Sequence, residues 1–199
     1  ASLSHPKEHK QEKLPEYLSE KEMRQLLTSL AKGDDLLKFT LVSLFLNTGL
    51  RPGDLENIRL SQFFPERGYF VGLAKGRKNK RTPLSDSLIL LLNRYVSSRE
   101  DECEFLLVNS RGKQLRVATM QNLVKKAAHQ AGLERELNPR MLRHTFATHF
   151  TDRHGTIMCK ALLGHGSHSN TRVYAHVSPR RFHQTMNFHP FNREAHRYE

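Results

Sequence analysis

Cysteine is scarce in this sequence of 199 residues, which contains only Cys103 and Cys159. Neither has a C-x-x-C partner, which argues against a disulfide framework and against a zinc site. No apolar run approaches the roughly 20 residues that span a bilayer, and no signal-peptide core is present. These absences predict a soluble, cytoplasmic protein without a membrane partner.

Acidic side chains are outnumbered by basic ones. The sequence has 20 Asp and Glu against 32 Lys and Arg, so its formal net charge is +12 before 12 histidines are counted. A charge of this size favours a polyanionic partner such as nucleic acid. On charge alone, a basic protein without such a partner is the competing interpretation, because net charge does not report on the fold.

The length suits one compact domain. Residues 1–18, ASLSHPKEHKQEKLPEYL, are polar and charged and contain two prolines, so we predict a linker there. The motif S-E-K-E at Ser19 has the form of a capping box, which marks the start of a helix. We therefore expect the folded domain to occupy residues 19–199.

Hydrophobic periodicity predicts a mainly helical α+β fold with one small antiparallel sheet. The segment YFVGLAKGRKNKRTPL reads as a β-hairpin with a basic tip, and EFLLV reads as a short buried strand. Helices are predicted over 19–31, 36–48 with Gly49 as C-cap, 54–60, 86–96 after Ser85, 118–131 before Gly132, 139–154, 157–163 before Gly164, and SNTRVYAHV.

Several cationic side chains fall at the ends of predicted elements. Arg51 follows a helix C-cap, Lys75 lies at the hairpin, and Arg140 and Arg143 are three residues apart. Residues at that spacing share a helix face, so Arg140 and Arg143 can point at one target. A phosphate would satisfy both guanidinium groups, since each donates two parallel hydrogen bonds. The alternative is that each arginine pairs separately with a surface carboxylate.

Four segments together resemble the signature segments of the tyrosine recombinase (phage integrase) family. They are TGLRPGDL at 48–55, KGRKNKRTPL at 75–84, RMLRHTFATHF at 140–150 and LLGHGSHSNTRVYAHV at 162–177. Their order and spacing match the family, and the resemblance runs from about Leu14 to the C-terminus. The LPEYLSEKE and FHP segments look most like Xer-type recombinases. The resemblance implies a catalytic domain that lacks the family's N-terminal core-binding domain.

The resemblance also implies roles for individual residues. Arg51 and Arg143 match the two arginines that hold the scissile phosphate, Lys75 matches the hairpin lysine, and His165 matches the late histidine. Tyr174 matches the nucleophile, nine residues after His165 as in the family.

Asp54 falls where the family has an acidic residue that orients the first arginine. Arg140 departs from the pattern, because the family's usual H-x-x-R begins with histidine. Arginine still donates hydrogen bonds to phosphate but cannot exchange a proton near neutral pH. We expect an active enzyme in which this position serves mainly as a donor.

In the implied reaction Tyr174 attacks phosphorus, forms a 3′-phosphotyrosyl link and releases a 5′-hydroxyl that takes its proton from Lys75. The link retains the energy of the broken bond, so no ATP, metal or other cofactor is expected. The remaining basic residues of the hairpin are predicted to contact DNA phosphates. They are Arg77, Lys78, Lys80 and Arg81.

The expected partners are double-stranded recombination sites and further protomers of this or a related recombinase, four in all, at the nucleoid. The segment FHQTMNFHPF has the apolar spacing of a short helix. It either docks on a neighbouring protomer or folds back on its own core, and the sequence leaves both open.

Two other functions stay open at this point. A catalytically silent DNA-binding module would bind DNA without a covalent adduct, and a type IB topoisomerase would relax supercoils without exchanging partners. A zinc site is not expected, because the late histidines lack metal-binding spacing with a carboxylate. These histidines are His165, His168, His176, His183 and His189.

Overall fold

The computed structural model describes residues 17–74, 77–163 and 184–187, with the backbone alone at 73, 74 and 77–80. The helices are α1 (Glu20–Ala31), α2 (Leu36–Thr48), α3 (Pro52–Glu56), α4 (Asp86–Ser97), α5 (Val117–Gln130) and α6 (Pro139–Leu163). The strands are β1 (Phe63–Phe64), β2 (Tyr69–Ala74) and β3 (Arg77–Pro83). The predicted α+β class is confirmed.

Capping residues set several helix ends where the sequence predicted them. The Ser19 Oγ accepts from the backbone N–H of Glu22 at 3.3 Å, and the Glu22 carboxylate accepts from the Ser19 N–H at 2.8 Å. Ser85 caps α4 by accepting from the backbone N–H of Leu88. Gly49 ends α2 in the left-handed conformation, with φ 58°. Each cap satisfies backbone groups that a helix end leaves without a partner.

Helix α2 is the centre of the core. Every residue from Thr40 to Thr48 is buried, and α1, α4, α5 and α6 all pack against this helix. A helix enclosed on all sides needs apolar residues around its whole circumference, which explains the nearly unbroken run LLKFTLVSLFL. The buried end of α2 therefore fixes where the chain emerges at Gly49.

The small sheet has the order β1–β2–β3 and is antiparallel throughout. The predicted hairpin is confirmed as β2 and β3. Strand β1 was not predicted, because two residues are too few to show the alternation typical of a strand. Its Phe63 pairs with Phe70, and the centroids of the two rings lie 5.6 Å apart.

The predicted strand EFLLV is wrong. Its Leu106 and Leu107 are buried, but Phe105 and Val108 form only isolated bridges. The backbone groups find other partners: the Arg99 guanidinium binds the carbonyl oxygens of Phe105 and Leu106, and the Tyr95 hydroxyl accepts from the Val108 N–H. Burial and satisfied hydrogen bonds are thus achieved here without a strand ladder.

Two boundaries also differ from prediction. Helix α3 begins at Pro52 and ends at Glu56, rather than covering 54–60, because proline is well suited to a first helical position. A separate 3-10 turn follows at Leu60–Gln62. Leu18 is fully buried, so the end of the predicted linker packs with the domain. One leucine in a polar run carries no periodicity that would predict this.

The predicted break between two late helices is confirmed at Gly155, which has φ 81° inside α6. The predicted helix SNTRVYAHV and the cap at Gly164 lie outside the described residues. Of the segment FHQTMNFHPF, residues 184–187 are described as helical. Met186 is fully buried in this chain's own core, and Asn187 exchanges hydrogen bonds with Asp86 at the start of α4. Docking of the other residues on a neighbour stays a prediction.

Among the described residues, no helix combines the length and apolar character that crossing a bilayer requires.

Replacing Gly49 by alanine should destabilise the domain strongly. An added Cβ would lie 2.4 Å from Phe146 Cδ1 and 2.8 Å from Leu163 Cδ2, and φ is positive. Strain and overpacking together should lower the free energy of unfolding by about 3 kcal/mol, measured by urea denaturation.

Two other glycines separate these causes. Gly155 has positive φ but no atom within 4 Å of an added Cβ, so Gly155→Ala should cost only the backbone strain, about 1 kcal/mol. Gly53 in α3 has neither feature, and Gly53→Ala should be neutral or slightly stabilising. Equal losses at Gly49 and Gly155 would contradict the role of the close contact.

Candidate active site

The centre of the candidate site is a contact between the end of α2 and helix α6. Arg143, half-buried on α6, donates a hydrogen bond from Nη1 to the carbonyl oxygen of Gly49. Arg51 follows Gly49 by two residues and is exposed. One tight turn therefore both anchors Arg143 and carries Arg51 to the same region.

The two arginines repel each other. Burial lowers the pKa of Arg143, and the positive charge of Arg51 lowers it further, while Asp54 and Cys159 act in the opposite direction. Arginine nevertheless stays protonated in proteins, so the repulsion is retained as positive potential. An anion bound between the guanidinium groups would relieve it, and phosphate has the matching geometry.

Asp54 acts through the main chain. Its Oδ2 accepts from the backbone N–H of Arg51 at 3.3 Å, at the N-terminal turn of α3. A carboxylate at this position also suits the positive end of the helix dipole. The contact orients the backbone from which the Arg51 side chain starts, which is a less direct form of the role that the resemblance implies.

Arg140 lies in the first turn of α6 and is exposed. It stands three residues before Arg143, so both arginines lie on one side of the helix, as predicted. Within the ranges that the structure describes, neither Arg51 nor Arg140 forms a salt bridge. The alternative in which these two arginines pair with surface carboxylates gains no support.

Other predicted site residues lie beyond what the structure describes. Lys75, His165 and Tyr174 are outside the described residues, and for Arg77, Lys78 and Lys80 only the backbone of β3 is described. Arg81 is exposed, and its guanidinium carbon lies 5.1 Å from the centre of the Tyr69 ring. The structure thus brings together Arg51, Asp54 and Arg143, and the roles of all the predicted site residues stay predictions.

Two participants were missed by the sequence analysis. The first is the Gly49 carbonyl, which accepts a hydrogen bond from Arg143, and the second is the buried Cys159, whose thiolate form would raise the pKa of Arg143. Burial raises the pKa of Cys159, although Thr151 and Arg143 lower it in part. The glycine after an apolar helix was a usable signal, whereas nothing in the sequence pairs Cys159 with Arg143.

No group of three or more His, Cys, Asp or Glu side chains placed to hold a metal ion occurs among the described residues.

Residues 16–181 match the model of the phage integrase family, and the chain belongs to that family. Tyrosine recombinase XerA of Pyrococcus furiosus is 33% identical over 170 residues, which cover 83% of this chain and 58% of the relative. The chain thus spans less than two thirds of that protein's length.

Solved structures show the same fold. The crystal structure of XerA recombinase matches with a TM-score of 0.71 and 26% identity, covering 89% of this chain and 66% of that chain. XerH recombinase bound to its difH substrate matches with a TM-score of 0.68 and 27% identity, covering 94% of this chain and 57% of that chain. The predicted tyrosine recombinase catalytic fold and the Xer-type resemblance are confirmed.

Replacing Arg51 by glutamine should raise stability. Arg51 stands at the N-cap of α3, where a positive charge is unfavourable, and it repels Arg143. We expect a gain of about 0.5 kcal/mol in the free energy of unfolding at low salt.

Arg94→Gln is the matched control, since Arg94 is an exposed arginine in the last turn of α4, where a cation is favourable. It should be neutral or slightly destabilising. Sulfate should reduce the difference in free energy of unfolding between Arg51→Gln and wild type, because it can bind between Arg51 and Arg143 only in the wild type. If Arg51→Gln does not have a higher free energy of unfolding than Arg94→Gln, the proposed repulsion is contradicted.

Proposed function

We propose that this chain carries the catalytic part of a site-specific DNA recombinase that cuts and rejoins strands through a 3′-phosphotyrosyl link at Tyr174. The observation that carries the proposal is the Arg51–Arg143 pair: the Gly49 carbonyl holds Arg143, which is partly desolvated, beside an exposed second guanidinium. Membership of the phage integrase family supports the same activity.

The arginine pair suits the electrostatics of phosphoryl transfer. A phosphodiester repels nucleophiles because its non-bridging oxygens are negative, and that charge must be stabilised as bonds rearrange. Arg51 and Arg143 would donate to these oxygens from fixed positions, so little reorganisation accompanies the reaction. Arg140 would add a further donor from the same side of α6.

The strand-cleaving step is a transesterification. The Tyr174 hydroxyl gives up its proton to solvent as its oxygen forms a bond to phosphorus, the bond to the 5′-oxygen breaks, and Lys75 supplies the proton that the leaving oxygen takes up. His165 would donate a hydrogen bond to the phosphate. The new ester conserves the energy of the broken one, so the reverse attack by a partner strand's 5′-hydroxyl needs no nucleotide cofactor.

DNA recognition would use the hairpin and the net charge of +12. Arg77, Lys78, Lys80 and Arg81 belong to β3 and would contact backbone phosphates, a mode of binding that weakens as salt rises. Recombination between two duplex sites requires several protomers, and we propose four copies of this or a related recombinase. The same proposal predicts that the protein acts in the cytoplasm, in association with the nucleoid.

Covalent trapping tests the chemistry. Duplexes that bind the full chain are selected from a randomised pool, nicked near the selected site, and incubated with protein in EDTA. We expect a protein–DNA adduct on a denaturing gel that is absent with Tyr174→Phe. Arg51→Ala and Arg143→Ala should each reduce adduct formation by roughly 100-fold or more, because each removes a preorganised donor.

Arg94→Ala is the control for loss of a positive charge, and it should cleave at the wild-type rate. Tight binding of a duplex without any adduct would contradict the cleavage proposal and would favour a catalytically silent DNA-binding module. If the protein forms an adduct and also relaxes plasmids that lack the selected site, the result would instead favour a type IB topoisomerase.

Arg140→His tests what this position does in the reaction. If it acts as a donor, a histidine works best when protonated, so the ratio of variant to wild-type rate should fall as pH rises through about 6.5. Arg140→Ala should be slower than wild type at every pH. The measurement is single-turnover cleavage between pH 5.5 and 8.5, and a ratio that rises with pH would show that the position needs a base.

A further inference from the structure

Tyr17 and Leu18, which lead into the domain, contact helix α6, which carries Arg140 and Arg143. The backbone N–H of Leu18 donates a hydrogen bond to Thr145 Oγ1 at 3.0 Å, and the Leu18 carbonyl oxygen accepts one from His149 Nε2 at 2.8 Å. Both main-chain groups of one residue are thus held by two side chains of α6. We call this arrangement the Leu18 clamp.

The Leu18–Thr145 bond of the clamp is buried, and the Leu18–His149 bond is partly buried. Leu18 and Thr145 are fully buried, and the Thr145 hydroxyl also donates to the Met141 carbonyl oxygen at 2.9 Å. The acceptor at Leu18 is a carbonyl, so His149 must carry its proton on Nε2. Buried hydrogen bonds of this kind are costly to leave unmade, which fixes the geometry.

Neighbouring contacts extend the grip to Tyr17. Its ring lies edge-on to the rings of His144 and His149, with centroids 6.1 and 5.8 Å apart. Its carbonyl oxygen accepts from Arg135 at 3.1 Å, and Arg135 also pairs with Glu22 of α1. The incoming chain is therefore bound to α6 and to α1 at once.

The clamp and the arginines occupy opposite sides of α6. At 3.6 residues per turn, Thr145 and His149 lie roughly opposite Arg140 and Arg143 around the helix axis. The first half of α6 is held on the arginine side through Gly49 and on the far side through Leu18. A helix of this length is stiff, so a shift at Leu18 would move the arginines with it.

We infer that Thr145 and His149 are positioning residues that set Arg140 and Arg143 against the scissile phosphate and couple them to the chain entering at Tyr17. The inference rests on the proposed function, since it assigns no chemistry to the clamp itself. Its physical basis is the steep cost of misplacement: a displacement of about 1 Å can reduce a rate by about 100-fold.

The test compares breaking and conservative variants in the full chain. Thr145→Val and His149→Leu remove the clamp bonds, while Thr145→Ser and His149→Gln retain an acceptor and a donor. The readouts are the affinity for a selected nicked duplex and the single-turnover rate of adduct formation at saturating protein. We expect the breaking variants to slow adduct formation by about 10- to 100-fold with affinity within about threefold of wild type.

The conservative variants should recover most of the rate. Gln25→Leu is the control for losing a hydrogen bond between distant segments, because the exposed Gln25 donates from Nε2 to the Ala131 carbonyl at 2.7 Å and links α1 to the end of α5. It should lower stability without slowing adduct formation. An equal rate loss in Gln25→Leu, or wild-type rates in folded clamp variants, would overturn the inference.

Amide hydrogen exchange gives a readout independent of catalysis. Amides of residues 140–146 should exchange faster in His149→Leu than in His149→Gln or Gln25→Leu. If the wild-type chain forms no adduct, the proposed function fails, and exchange alone decides the clamp. Unchanged exchange in these residues would then overturn it.

Discussion

The close approach of α2 and α6 at Gly49 is the constraint on which the described site depends. An added Cβ would meet Phe146 and Leu163 at less than 3 Å, so only glycine allows the two helices to lie this near. The left-handed φ at the same residue ends α2 and turns the chain towards Arg51. Because the Gly49 carbonyl then binds Arg143, one residue determines the spacing of both arginines.

This spacing has an electrostatic cost. Two guanidinium groups are held near each other, and one of them is partly desolvated, so we expect the free protein to be less stable than a variant with a neutral side chain at position 51. Enzymes commonly retain such unfavourable groups where they bind charge that develops during a reaction. The large apolar core around α2 supplies the stability that tolerates it. The Asp54 carboxylate, which accepts a hydrogen bond from the Arg51 backbone N–H, offsets part of this cost through its negative charge.

Local signals predicted much of the fold. Ser19, Ser85 and Gly49 predicted helix ends correctly, because capping depends on residues within one turn. The strand predicted at EFLLV failed, because burial alone does not distinguish a ladder from a loop whose carbonyls are bound by Arg99. Strand β1 escaped notice because its two residues are identifiable only by their pairing with β2.

The sequence by itself determined the helix caps, the buried character of α2, the hairpin, and the order and spacing of four motifs that indicated the family. These are properties of residue type and local spacing, which need no knowledge of distant contacts. Only the folded chain revealed that the Gly49 carbonyl binds Arg143 and that Leu18 is held by Thr145 and His149. These contacts join residues as far as 131 positions apart, so they follow from how helices pack and not from any local pattern.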